Sequence, residues 1–127
     1  MIMKVFVYFN LHKKKWSIRA MEGEFKGKVI AHKDYVFLYD AHPKVSEAGR
    51  QRVLKEQCKN VHAGVIGEWL DSKEDRPSVW SIRERVYYNP YETDCFIYKA
   101  SGSEWKQGDC VEMFADTKQV YSYEVIL

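Results

Sequence analysis

No two cysteines in this chain stand at the spacing of a zinc knuckle or a redox motif. Cys58, Cys95 and Cys110 are three in number and far apart. The sequence therefore offers neither a disulfide framework nor a structural zinc site, and reduced thiols in a cytoplasm fit it best. An excess of one charge is also missing: 20 Lys and Arg against 18 Asp and Glu leave a net charge of +2. That balance disfavours a protein whose main task is coating nucleic acid, because such domains are strongly basic. The apolar opening V-F-V-Y-F (5–9) is far shorter than the roughly 20 residues of a membrane span. It lacks a small-residue cleavage site and runs directly into a strand-like pattern, so a soluble cytoplasmic protein with no membrane partner is expected.

Catalytic signatures are lacking in the same way. His12, His32, His42 and His62 have no second histidine at the i+2 or i+4 spacing of a metal ligand pair, and no HExxH pattern exists. There is no GxSxG elbow, no Walker A loop and no GxGxxG turn. Paired carboxylates leave no spacing signature, so Glu22, Glu24 and Glu68 stay open as an acid–base pair. The balance leans away from an enzyme, with no cofactor and no metal called for.

What is abundant is aromatic. Aromatics make up 15% of the chain, including nine Tyr and four Trp, which serve a β-rich core or a contact surface. V-F-V-Y-F-N (5–10) is apolar on both faces, the mark of a central or doubly covered strand. After the polar turn at 11–15, W-S-I-R-A (16–20) alternates with Trp16, Ile18 and Ala20 inward, a hairpin pattern. K-V-I-A-H (28–32) and Y-V-F-L-Y (35–39) suggest a second hairpin about Lys33 and Asp34. Ser46 suits a helix N-cap, and Lys59 and Asn60 suit the exit, with Arg52, Lys55 and Lys59 as a basic stripe. Gly49 inside that helix costs about 1 kcal/mol against alanine, which a close backbone approach would explain. V-H-A-G-V-I-G (61–67) reads as a strand, D-S-K-E-D-R-P-S (71–78) as a loop, and Asn89-Pro90 as a turn. Stretches 95–99, 110–114 and 120–127 complete a β-rich second half. The expected architecture is α+β in one domain, 1–127: a mainly antiparallel β-sheet with one principal helix (about 46–58) packed on it.

Three segments then repeat one chemistry. The helix carries Arg50, Arg52, Lys55 and Lys59, and the junction after it carries Asn60 and His62. The later segment carries Arg83, Arg85, Tyr88, Asn89, Tyr91 and Phe96. Guanidinium groups bind phosphate in pairs of hydrogen bonds, asparagine reads an adenine edge and aromatic faces stack on bases. The plainer reading makes Arg52 and Lys55 a solvated face, Asn60 a helix cap, and Tyr88 and Tyr91 strand packing.

The runs V-Y-F-N-L-H-K-K (7–14), G-K-V-I-A-H (27–32), V-S-E-A-G-R-Q-R-V (45–53), K-N-V-H-A-G-V-I-G (59–67) and Y-N-P-Y (88–91) resemble a family of small tailed-phage and prophage proteins. The chain also resembles the phage Thoeris anti-defence sponges, small oligomeric α+β proteins that trap a cyclic ADP-ribose signal without cleaving it. That likeness implies Arg50 or Arg52 on the pyrophosphate, and Asn89 with Tyr88, Tyr91 or Phe96 at the base and riboses. Lys106 would stand as a second cation, a departure from arginine. The expected ligand-binding set is thus Arg50, Arg52, Asn60, His62, Tyr88, Asn89, Tyr91, Phe96 and Lys106. The expected function is sequestration of a nucleotide signal by a homo-oligomer in the host cytoplasm. The alternatives are an inhibitor that binds a host protein and an enzyme on nucleic acid or nucleotides with a nonlocal His/Glu site.

Overall fold

The computed structural model describes residues 2–70 and 82–124. Among these residues nine strands form one antiparallel sheet: β1 (Ile2–Asn10), β2 (Lys15–Ala20), β3 (Val29–Lys33), β4 (Tyr35–Val45), β5 (Ala63–Leu70), β6 (Ile82–Tyr87), β7 (Ile97–Tyr98), β8 (Gly108–Phe114) and β9 (Gln119–Glu124). The helix α1 (Glu47–Glu56) joins β4 to β5. The spatial order is β3-β2-β1-β5-β4-β8-β9-β6-β7. The first expectation holds closely. β1 and β2 pair with Val5 opposite Ala20, Val7 opposite Ile18 and Phe9 opposite Trp16. β1 lies inside the sheet, flanked by β2 and β5; Val5 and Val7 face the core, and Phe6 on the other face is buried with the Arg19 guanidinium 4.8 Å from its ring centroid.

The second expected hairpin does not form. Among the described residues β3 pairs only with β2, whereas β4 pairs with β5 and β8. Only Asp34 separates the two strands, and a hairpin needs a loop of about two residues. The chain instead bends at Asp34 and carries on from the sheet's edge to its middle. There Asp34 accepts the backbone N–H of Ala115 at 2.8 Å and a salt bridge from Lys15 at 3.2 Å.

One face of the sheet supplies the core. Val5, Val7, Trp16, Ile18, Val36, Leu38, Val65, Val111, Met113 and Val120 belong to a single buried cluster with Val86, Phe96 and Trp105. These residues come from both halves of the strand order, so the sheet coils until its two ends face each other across that core. Trp105 is fully buried and its indole N–H donates to Ser122 Oγ at 3.1 Å. On the outer face Glu112 is buried and accepts the hydroxyls of Tyr35 and Tyr123.

The coiling corrects the expected place of the helix. α1 contributes no residue to the main core cluster, because the sheet covers its own apolar face. The helix buries Val53 alone and projects from the paired strands β4 and β5 where Val45 lies opposite Ala63. It is also shorter than expected. Ser46 does cap it, accepting the N–H of Gly49 at 3.2 Å, but the exit is Gln57 in the left-handed region (φ 53°), whose N–H reaches Val53 O at 2.9 Å. Lys59 and Asn60 therefore lie beyond the helix and neither caps it, and Lys59 leaves the supposed basic stripe. β5 begins at Ala63 rather than Val61, with Ala63 and Val65 packed in the core, and His62 precedes it. The charged stretch 71–78 and the end of the expected last strand, 125–127, lie outside the described residues.

Candidate functional site

The short helix sets the geometry that follows. Gly49 faces the segment returning from α1 so closely that a Cβ there would stand 2.5 Å from His62 Cβ. Ser46 N–H donates to the His62 carbonyl at 2.7 Å, stitching both ends of the helical excursion together. Arg50 reaches the other way. Its Nε donates to the carbonyls of Pro90 and Thr93, both at 3.1 Å, and its Nη1 to Glu47 at 3.1 Å. The turn that receives it is shaped by Asn89, whose Oδ1 accepts Tyr91 N–H at 3.0 Å. An Asx turn of this kind suits the residue before proline.

Between these anchors lies a chain of side-chain contacts. His62 Nδ1 faces two oxygens of Asn60, the backbone O at 3.2 Å and Oδ1 at 3.1 Å. Only a protonated Nδ1 satisfies them, which leaves Nε2 to accept the Tyr88 hydroxyl at 2.7 Å. Burial pushes the Tyr88 phenol up to about 12, helped by Glu47 and Asp94 and opposed by the Arg50 cation. Tyr88 therefore stays a donor throughout the neutral range. Its ring stacks on Phe96 with centroids 5.3 Å apart, and Phe96 meets Trp105 edge-on at 5.9 Å. Held on both ring nitrogens, His62 is a poor reaction centre and a firm wall.

That wall borders an open groove of about 780 Å³, lined by Tyr8, Phe9 and the first turn on one side and by Lys59–Ala63, Tyr88 and Pro90 on the other. Asn60 Nδ2 is buried there without a hydrogen-bond partner. Leu11 (49% exposed) and Val61 (57% exposed) present apolar side chains at the groove.

Across residues 1–122 the chain matches the family model described as the Mycobacterium phage L5 gene 82 protein. The chain belongs to that family. The gene 82 protein of Mycobacterium phage L5 itself is 44% identical over 101 residues, covering 75% of this chain and 77% of the relative. No solved structure matches the chain. These matches establish a bacteriophage protein family, and the family's name states no activity.

Within this family member the nine expected ligand residues divide. Asn60, His62 and Tyr88 meet at the groove, and Phe96 packs behind Tyr88 in the core. Arg50 is tied to backbone carbonyls, and Asn89 shapes its turn. Arg52 is exposed on α1, and Tyr91 is 63% exposed. Lys106 lies at another depression, about 340 Å³, with Asp40, His42 and Asp109. Sequence reasoning missed the first hairpin's share of the groove: Tyr8, Phe9, Asn10, Leu11 and His12. The signal was an apolar Leu11 opening an otherwise basic turn. Among the described residues no three His, Cys, Asp or Glu side chains are placed to hold a metal ion, and no helix is long and apolar enough to cross a membrane.

Proposed function

We propose that this phage protein binds a nucleotide-type signal in the groove between the first hairpin and Tyr88, and sequesters it without cleaving it. The observation that carries the reading is Asn60 Nδ2, a buried amide donor with no partner, on the wall of an aromatic-lined groove. A buried donor left unpaired costs about 1–3 kcal/mol, and a base or ribose acceptor would recover that cost. Tyr8, Phe9 and Tyr88 line the groove and supply rings on which a base could stack, and Lys59 and His12 line it as polar contacts for phosphates. Lys59 takes the phosphate role first assigned to Arg50, whose guanidinium already bonds two carbonyls. A cyclic ADP-ribose type of ligand supplies base, ribose and pyrophosphate together, and trapping it would serve a phage against host defence. Exposed Leu11 and Val61 beside the groove are where a second copy could complete the enclosure in a homo-oligomer.

The experiment is calorimetric titration of the protein with cyclic and linear ADP-ribose nucleotides, followed by heat denaturation and mass analysis of what is released. Intact ligand is expected back, with Asn60→Ala weakening binding at least tenfold. Absence of binding across the panel would sink the reading, and an altered ligand would make the protein an enzyme.

A further inference from the structure

We propose that the inside of the coiled sheet is a second binding site, for a small apolar carboxylate. A cavity of about 200 Å³ lies between the two ends of the sheet. Its walls come from Phe9 and Trp16 on one side and from Met113 and Val120 on the other. Phe9 and Trp16 pack edge-on with centroids 5.2 Å apart, forming an aromatic corner. For scale, an apolar protein void of about 150 Å³ takes up benzene, so this one has room for a single ring with a short polar group.

The polar groups at this cavity are one-sided. Three buried side-chain nitrogens lack a hydrogen-bond partner among the described residues: Trp16 Nε1, Arg85 Nε and Asn60 Nδ2. Trp16 and Arg85 both line this cavity, and Trp16 is only 5% exposed. Lys118 lines it as well, exposed, with its Nζ 5.1 Å from the Phe9 ring centroid. No Asp or Glu is among the lining residues. The hydroxyls of Tyr8, Tyr87 and Tyr88 can act either way, and the other polar side chains here are donors and cations, so the lining favours an occupant that brings acceptors. An ionised carboxylate is such a group, and its hydrogen bonds to charged donors are the strong ones. The apolar walls require the rest of the ligand to be a ring or short hydrocarbon.

This site does not rest on the nucleotide reading. A cyclic ADP-ribose type of signal is far larger than the cavity, and the unpaired amide of Asn60 belongs to the groove outside. The two spaces share Tyr8, Phe9, Ala63 and Tyr88 as a common wall.

The test uses the whole chain with 4-fluorobenzoate, 4-fluorobenzamide and fluorobenzene as probes, followed by fluorine NMR and calorimetry. Fluorobenzoate is expected to bind, with the amide and the bare ring at least tenfold weaker. Trp16→Phe keeps a ring and loses the N–H; Arg85→Gln loses the cation. Each should weaken fluorobenzoate about tenfold, the usual loss for one bond to a charged partner, while Asn60→Ala leaves it unchanged. If Trp16→Phe fails to fold, Arg85→Gln decides. Fluorobenzene binding as tightly as fluorobenzoate, unchanged affinity in the folded variants, or no binding of any probe at millimolar concentration would each overturn the proposal.

Discussion

Replacing Gly49 by alanine sets two opposed effects against each other. Alanine is better than glycine in a helix by about 1 kcal/mol, and Gly49 has an ordinary helical backbone in the first turn of α1. On propensity alone the variant gains stability. Its new Cβ, however, would stand 2.5 Å from His62 Cβ and 3.4 Å from Ser46 Oγ. The first of these is about 1 Å short of ordinary van der Waals contact. The obstructing atom is bonded to the backbone, so no rotamer change relieves it. Overpacking of this kind costs about 1–3 kcal/mol, and here it also strains the Ser46–His62 backbone bond and the His62–Tyr88 contact. The expected net effect is a loss of about 1 kcal/mol, or roughly 3–5 °C in Tm for a chain of this size. Thermal and urea denaturation of Gly49→Ala measure it. The decisive control is the background. His62→Ala retains the offending Cβ, so Gly49→Ala should still destabilise there, whereas in His62→Gly the same change should stabilise by about 1 kcal/mol. Stabilisation in the wild-type background, or the same sign in all three, would refute the reasoning.

Two further outcomes concern ionisation. Tyr88 is held to about 12, chiefly by burial, against about 10 in an unfolded chain. Between those values the folded state keeps a proton that the unfolded state has lost, so its stability contribution is complete below pH 10 and declines as pH rises towards 12. Ultraviolet titration should show a late-ionising tyrosine that Tyr88→Phe removes; an unchanged titration curve at pH 10–12 would contradict the half-buried His62–Tyr88 pair. Cys110 is almost fully buried and its thiol is pushed up to about 11 by that burial, with nearby Asp109, Asp40 and Glu112 adding to it. Iodoacetamide at pH 8, read by peptide mass, should therefore modify partly exposed Cys58 well before Cys110, and the reverse order would be inconsistent with this packing.

Local signals in the sequence were dependable where the chain's own neighbours decide the outcome. The alternation of Trp16, Ile18 and Ala20 and the Ser46 cap are local facts, and both are found as expected. Gly49's unusual place in a helix pointed to a close backbone approach, and His62 Cβ supplies it. The errors came from distance. Lys33-Asp34 looks like a turn, yet pairing of Val36 with Met113 and Leu38 with Val111 draws β4 to strands far along the chain. The helix was expected on the sheet because an apolar face needs a cover; nothing in the residue pattern announces that the sheet coils onto itself. The candidate site divides for the same reason. Asn60 and His62 are sequence neighbours and stayed together, while Arg50, with the same chemistry on paper, is drawn to carbonyls of Pro90 and Thr93 some forty residues on. The groove's other bank, Tyr8 to His12, is the first hairpin, which no motif ties to residue 60.

The place of β5 between β1 and β4 has a consequence for synthesis. β2, β3, β4 and α1 are all made before β5, yet β5 is the strand that satisfies one edge of β1 and one edge of β4. A chain leaving the ribosome carries those two edges unpaired until residue 70 has emerged. Unpaired edges invite pairing with other chains. The ten-residue helix, by returning the chain beside Ser46, delivers β5 to the gap it must fill. α1 thus limits how long a nascent chain stays open to the wrong neighbour.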